Sequence, residues 1–246
     1  MFDVPLPSAG PVSGDTAGTD LTRTDLTRTA VVQFAEPAPT KAGDHQLLVA
    51  LVSGLTGVGP ASITLEQVCP ACGESGHGPL RVVFTDAPDA APTVHVSLTR
   101  AGGRLALAVT AAGPVGIDLE SVAEISRAPV AGVLLSGAEA QALAGLDPTD
   151  VDAALAATWT AKEAVLKAAG TGLRVDPRDL TITLAATGAP FGGRSAAPSP
   201  VLTAWPDSPF ALGVVHLLPL AAALGCVGTV AVVSAACPAL IVVPLG

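Results

Sequence analysis

The chain contains no tyrosine and, among 246 residues, only two tryptophans and five phenylalanines. Aliphatic side chains must therefore fill its core, since half of all residues are apolar and only 13% carry a charge. A chain this long and apolar can bury a sizeable core, which excludes disorder of the whole chain. The 26 glycines and 22 prolines predict many tight turns between short elements.

Basic residues are also scarce. Twelve Lys and Arg stand against 21 Asp and Glu, so the formal net charge is −9. An acidic chain repels a phosphate backbone, and we therefore expect no nucleic-acid binding. Clusters of acidic oxygens attract divalent cations instead.

Charged residues are absent from the C-terminal part: no Asp, Glu, Lys or Arg occurs from Ala211 to Gly246. A membrane-spanning helix would need about 20 apolar residues in helical form. Helix-breaking residues interrupt the run, among them Pro219, Gly225, Gly228 and Pro238. Together with the β-branched valines, they favour buried strands over a membrane span.

The first ten residues, MFDVPLPSAG, lack the basic stretch and apolar segment of a signal peptide. We therefore expect a cytoplasmic protein with reduced thiols. Cys69 and Cys72 form a C-x-x-C motif, and His77 follows five residues later. Two interpretations stay open, plain thiols in a turn or a zinc site, and the first is favoured because further ligands have no obvious source.

The pattern of apolar residues predicts an α+β fold of two similar lobes. Residues 1–43 are expected to be a loosely ordered arm with one strand at 30–34, residues 44–117 the first lobe, and residues 118–246 the second. In the first lobe we expect a helix at 46–55, a hairpin of strands 93–99 and 104–110, and a strand at 115–119.

The second lobe is expected to begin with helices. Ser136 and Glu139 have the spacing of a capping box, and Thr149 is predicted to start a longer helix that ends at Gly170. Strands are expected at 179–185, 201–205, 211–217 and 227–234. A surface loop is expected at 192–200.

Asp118 and Glu120 lie two residues apart on a predicted strand, so their side chains project to the same side. Two neighbouring carboxylates repel each other unless a cation lies between them, and hard oxygen ligands suit Mg²⁺. The spacing alone is more typical of two solvated acids at a strand end.

On the long predicted helix, Glu163 lies at the border of the apolar face formed by Leu155, Trp159 and Leu166. Lys167 follows one turn later. By itself this spacing is that of an ordinary Glu–Lys helix pair.

Taken together, the two segments resemble the two signature motifs of the 4′-phosphopantetheinyl transferases, in particular the larger, monomeric, Sfp-type class. The first motif is similar to the run Gly116-Ile117-Asp118-Leu119-Glu120. The second is similar to the run Trp159-Thr160-Ala161-Lys162-Glu163-Ala164-Val165-Leu166-Lys167, which is followed by Gly170 and Gly172. The Cys-rich segment before Arg81 is similar to one in actinobacterial members of the family.

This resemblance implies a pseudo-dimeric fold with coenzyme A in the cleft between the lobes. It implies transfer of the 4′-phosphopantetheine of coenzyme A to a serine of an acyl or peptidyl carrier protein, with release of 3′,5′-adenosine bisphosphate. The carrier would belong to a fatty-acid, polyketide or non-ribosomal peptide synthase. Mg²⁺ would be held by Asp118, Glu120 and Glu163. The enzyme would be a monomer and would not bind membranes.

The resemblance also implies roles for basic residues. Lys167 would neutralise a phosphate oxygen, and Lys162 or Glu163 would help to take the proton from the serine hydroxyl. Arg100, where many members of the family have a histidine, and Arg81 would contact coenzyme A. Further upstream bases that would contact its 3′-phosphate are Arg23, Arg28, Lys41 and His45.

Arg127 and the apolar run 130–135 are the predicted surface for the carrier protein. Two other hypotheses stay open. One is a non-catalytic relative that binds coenzyme A. The other is a small membrane-associated or metal-binding protein, based on the charge-free C-terminal part and the C-x-x-C motif.

Overall fold

A computed structural model describes residues 21–85, 93–184, 199–220 and 225–245. Across these residues the fold is α+β, as predicted. The helices are α1 (Lys41–Thr56), α2 (Val122–Arg127), α3 (Ala131–Leu134), α4 (Gly137–Ala144) and α5 (Pro148–Ala168). The strands are β1 (Thr29–Ala35), β2 (Ile63–Val68), β3 (Ser75–Phe84), β4 (His95–Ala101), β5 (Arg104–Thr110), β6 (Val115–Ser121), β7 (Thr181–Leu184), β8 (Pro200–Ala204), β9 (Val215–Leu220), β10 (Cys226–Val233) and β11 (Ala239–Val243).

The first sheet has the strand order β11-β1-β5-β4. The predicted hairpin is confirmed as β4 and β5, and Gly102 and Gly103 turn the chain between them with positive φ angles. The predicted strand at 30–34 is confirmed as β1, which pairs antiparallel with β5 on one side. On its other side β1 pairs parallel with β11, which the sequence analysis missed.

The second sheet has the order β6-β10-β9, so the charge-free C-terminal part forms strands in both sheets. Among the described helices, none is long and apolar enough to cross a membrane. The prediction of a strand at 211–217 was wrong at its start. Leu212–Val214 is a 3₁₀ turn, and β9 begins at Val215.

The two sheets pack face to face, and one helix covers each outer face. Ala30 and Val32 of β1 meet Ile117 of β6 and Val230 of β10 in the layer between the sheets. On the outer face of the first sheet, α1 contributes four buried residues, Leu48, Leu51, Val52 and Leu55. On the outer face of the second sheet, α5 buries its apolar side against β9, β10 and the β7–β8 hairpin. The side chains of Ala and Val are small, so the layers of the fold can approach each other closely. The strands therefore supply most of the core with few aromatic residues.

The long helix α5 begins earlier than predicted. Its N-cap is Asp147, whose carboxylate accepts a hydrogen bond from the backbone N–H of Thr149, and Pro148 occupies the first helical position. Thr149 therefore lies inside the first turn. The capping box of Ser136 and Glu139 is confirmed at the start of α4.

The division into residues 1–43, 44–117 and 118–246 stays a prediction. β1 and the start of α1 lie within the segment predicted to be an arm, and β11 of the predicted second lobe pairs with β1. The β2–β3 hairpin was not predicted at all. Most of the predicted loop at 192–200 and the first 20 residues of the predicted arm lie outside the described residues.

Candidate functional site

The two motifs meet where α5 crosses β6 at Gly116. A Cβ atom on Gly116 would lie 2.0 Å from the carbonyl oxygen of Ala164 and 2.9 Å from Cβ of Lys167. Only glycine lets the helix approach this closely, because any side chain would push the two backbones apart. This contact places Lys167 next to Asp118, two residues along the same strand.

We expect Gly116→Ala to lower the free energy of unfolding by about 1–3 kcal/mol, because the added methyl group overpacks a contact between two backbones. Thermal unfolding measures the change. Gly132→Ala in α3 is the matched control, since a Cβ atom there meets nothing within 4 Å. The control should unfold at or above the temperature of the wild type. Equal melting temperatures for both variants would contradict the contact.

Asp118 is buried and is held on one of its two carboxylate oxygens. Its Oδ1 accepts hydrogen bonds from Lys167 Nζ at 2.6 Å and from Thr99 Oγ1 at 3.1 Å. Lys167 Nζ also donates to the carbonyl oxygen of Ile117 at 3.0 Å. Burial raises the pKa of Asp118, and the nearby Lys167 ammonium opposes this rise. The other oxygen, Oδ2, is buried without a hydrogen-bond partner.

Two further carboxylates lie near Asp118. Burial and the Asp118 carboxylate raise the pKa of Glu120 to about 7, although the indole N–H of Trp159 donates to Glu120 Oε1 at 3.1 Å. Burial and Asp118 also raise the pKa of Glu163, against the effect of Lys167. Lys167 therefore forms its ion pair with Asp118, across the strand–helix contact. It does not form the ordinary helix ion pair with Glu163.

The donor set fits a divalent cation. Three carboxylates whose pKa values are raised, together with one buried oxygen that lacks a partner, are the hard ligands that Mg²⁺ prefers. The three carboxylates are less tightly grouped than Cys69, Cys72 and His77, which are the one set of three candidate ligands in the described parts of the chain within 4.8 Å of one another.

A cleft of about 990 Å³ lies beside this cluster. Its walls come from α1, the β2–β3 hairpin, β4, the last turns of α5 and the residues that follow α5. Glu163 and Lys167 belong to the wall, whereas Asp118 and Glu120 do not. Six other cationic or imidazole side chains belong to the wall, namely Lys41, His45, His77, Arg81, His95 and Arg174. The cleft therefore combines one acidic end with several groups that suit phosphates.

The predicted chemical role of Lys162 stays a prediction, and the structure places this side chain in buried contacts outside the cleft wall. Its side chain is only 1% exposed. Its Nζ donates to Glu139 Oε2 at 2.6 Å and to the carbonyl oxygens of Leu134 and Pro177 at 2.7 and 2.9 Å. All three ammonium hydrogens are thus used in buried contacts, and Lys162 holds α5 to α3, α4 and the turn before β7.

The predicted contact of Arg100 with coenzyme A also stays a prediction. Its guanidinium pairs with the buried carboxylate of Asp44 and donates to the carbonyl oxygen of Ala38 at 3.0 Å, so it fixes the start of α1. It is not among the residues that line the cleft. Arg81 does line the cleft, and its contact with coenzyme A stays a prediction.

Sequence reasoning missed three residues at the site. Thr99 donates to Asp118, and its place on the polar side of the β4 pattern was the available signal. Trp159 was assigned only to the apolar face of α5, yet its indole binds Glu120. Arg174 follows the Gly170 and Gly172 turn, and nothing in its spacing pointed to the cleft.

Several solved structures are similar to this chain. The holo-[acyl-carrier-protein] synthase of Thermotoga maritima is 21% identical, with a TM-score of 0.35. The match covers 49% of this chain and 62% of the Thermotoga chain, which is less than two thirds of that chain's length. The enzyme of Helicobacter pylori, solved in complex with coenzyme A, is 22% identical over 49% of this chain and 99% of its own, also with a TM-score of 0.35. The enzyme of Neisseria meningitidis is 21% identical over 48% and 95%, with the same score.

A search among curated proteins gives no match. A protein-family model matches the part of the chain that contains both motifs and the three carboxylates. Residues 114–212 match the model of the 4′-phosphopantetheinyl transferase superfamily.

Proposed function

We propose that this protein transfers the 4′-phosphopantetheine of coenzyme A to a serine hydroxyl of an apo carrier protein, as an Sfp-type enzyme. One observation carries the proposal: the contact at Gly116 brings Asp118 and Glu120 of one motif together with Glu163 and Lys167 of the other. The family match over residues 114–212 supports the same activity.

The cleft supports coenzyme A as the donor substrate. Its volume of about 990 Å³ is at the upper end of the usual range for small-molecule sites, and coenzyme A is a large ligand. Lys41, Arg81 and Arg174 offer positive charge to its phosphates, and Lys167 lies at the acidic end of the same wall. We place the pyrophosphate near Lys167, because a metal bound by the carboxylates would be adjacent.

Asp118, Glu120 and Glu163 would hold Mg²⁺, which supplies charge neutralisation for the pyrophosphate when bound. Lys167 would stabilise negative charge that develops on the leaving phosphate. In the transfer, the serine oxygen forms a bond to the β-phosphorus and the bond from that phosphorus to 3′,5′-adenosine bisphosphate breaks. Glu163 lies in the wall of the cleft and would accept the hydroxyl proton.

For the carrier protein we propose docking on the surface formed by α2 and α3. Arg127 is exposed, and Val133 is 61% exposed in the apolar run that follows. An acidic chain gains little from long-range attraction to an acidic carrier, so apolar contact and one local cation suit this surface. We further infer a cytoplasmic monomer that binds neither nucleic acid nor membranes.

Intact-mass spectrometry tests the activity directly. An apo acyl or peptidyl carrier protein incubated with this protein, coenzyme A and Mg²⁺ should gain the mass of one phosphopantetheine. A chelator should prevent the gain, and so should replacement of the carrier's acceptor serine with alanine. No gain across carriers from fatty-acid, polyketide and peptide synthases would contradict the proposal.

The second candidate is a non-catalytic protein that binds coenzyme A. The position of Arg100 bears on it, because that guanidinium pairs with Asp44 and does not line the cleft, so one contact that the resemblance implies for the active enzyme is missing. Calorimetry with coenzyme A beside the mass assay separates the two candidates, since only the second predicts binding without product.

A further inference from the structure

We propose that Cys69, Cys72 and His77 form a zinc site at the tip of the β2–β3 hairpin. The Cys72 sulfur lies 3.3 Å from His77 Nε2, and one ligand atom from each of the three residues lies within 4.8 Å of the others. With zinc–sulfur bonds of about 2.3 Å and zinc–nitrogen bonds of about 2.0 Å, tetrahedral ligands lie ~3.5 Å apart. The side chains therefore need only small adjustments to surround one ion.

The backbone between the two cysteines is folded as a closed turn that presents both sulfurs on one side. The N–H of Gly73 donates to the carbonyl oxygen of Cys69 at 2.9 Å, and the N–H of Cys69 donates to the carbonyl oxygen of Glu74 at 2.9 Å. This turn keeps the sulfurs of Cys69 and Cys72 within 4.8 Å of each other, as two ligands of one ion must be.

The histidine is brought to the cysteines by a second close approach. Gly78 has a φ of 94°, and a Cβ atom there would lie 2.9 Å from the Cα of Cys69 and 2.9 Å from the carbonyl oxygen of Val68. Gly78, directly after His77, thus lets β3 contact the backbone at the end of β2. The sequence spacing alone did not show this approach, which supplies a third ligand to the C-x-x-C motif.

The ligand types select the ion. Two thiolates and one imidazole favour zinc over Mg²⁺, which prefers oxygen. Two thiolates also balance the charge of the ion. Three protein ligands leave a fourth position of the tetrahedron, which we assign to water because Cys72 and His77 are exposed.

The zinc site would stiffen one wall of the cleft. Cys69, His77 and the residues Gly78 and Pro79 all line it. Lys41 already connects α1 to this hairpin, since its Nζ donates to Gln67 Oε1 at 2.6 Å and to the carbonyl oxygen of Gly76 at 2.8 Å. A zinc ion at the tip would hold the β2–β3 hairpin at a second point.

Elemental analysis of the full chain, purified without a histidine tag under reducing conditions, tests the proposal. We expect about one zinc ion per chain after dialysis. Cys72→Ser and His77→Ala should each reduce the zinc content to near none. Cys237→Ser is the matched control and should keep the full content, because that exposed thiol lies outside the cluster.

If the purified protein contains no zinc, addition of Co²⁺ alone to the reduced protein decides the question. Thiolate-to-cobalt absorption in the wild type and in Cys237→Ser, but not in Cys72→Ser, would support the site. No such absorption in the wild type would overturn it and leave plain thiols. These measurements need no transfer activity, so they do not depend on the proposed function.

Discussion

Asp118→Asn is expected to reduce phosphopantetheine transfer at least about 100-fold, the size of loss seen when one stabilising group is removed from a charged transition state. The substitution removes the negative charge and replaces the unpartnered Oδ2 with an amide nitrogen that cannot bind a cation. The remaining oxygen still accepts from Thr99 and Lys167. Burial already disfavours the charge, so the fold should stay close to that of the wild type.

The comparison needs both activity and thermal unfolding, with and without Mg²⁺. Mg²⁺ should raise the melting temperature of the wild type but not that of Asp118→Asn. Asp44→Asn is the matched control, because Asp44 is equally buried and paired with a base, Arg100, away from the cleft. It should lose stability and keep transfer below its melting temperature. Full transfer by Asp118→Asn would remove Asp118 from the proposed site.

Lys162→Met is expected to have the largest effect on stability. It leaves the buried Glu139 carboxylate without its cation and leaves two carbonyl oxygens without a donor. Breaking a buried ion pair on one side costs about 3–5 kcal/mol. For a chain of this size, we expect the melting temperature to fall by roughly 6–20 °C.

Lys167→Met provides the contrast one turn and one residue further along α5. The Lys167 side chain is 31% exposed, so loss of its ion pair should lower the melting temperature far less than loss of Lys162. Its transfer rate, however, should collapse. The double variant Lys162→Met with Glu139→Gln should recover part of the stability, because Glu139→Gln removes the buried carboxylate charge that Lys162→Met leaves without a cation. A Lys162→Met variant that melts like the wild type but transfers nothing would refute the structural role.

The sequence was sufficient for the features that depend on local periodicity. Alternation predicted the β4–β5 hairpin, and the resemblance of the two motifs to those of a known family implied that Asp118 and Glu163 belong to one site. The close approach at Gly116 explains why the two residues lie near each other, since it brings the strand motif and the helix motif into contact.

Contacts between residues distant in sequence could not be predicted from the motifs. Lys162 and Glu163 are adjacent on α5, yet one faces a buried carboxylate from α4 and the other the cleft. Nothing in the motif tells which lysine is buried, because that depends on how α3 and α4 fold over the helix. Arg100 is a similar case, since its partner Asp44 lies in a helix more than fifty residues earlier.

The parallel pairing of β1 with β11 has a consequence for synthesis. Ala239 is the partner of Thr29, so the sheet that supports α1 cannot be completed until nearly the whole described chain has left the ribosome. Until then the apolar edge of β1 is open to other chains, and contacts this distant in sequence form slowly. Fragments that end after β10 would keep that edge open permanently and should aggregate, even though they contain both motifs.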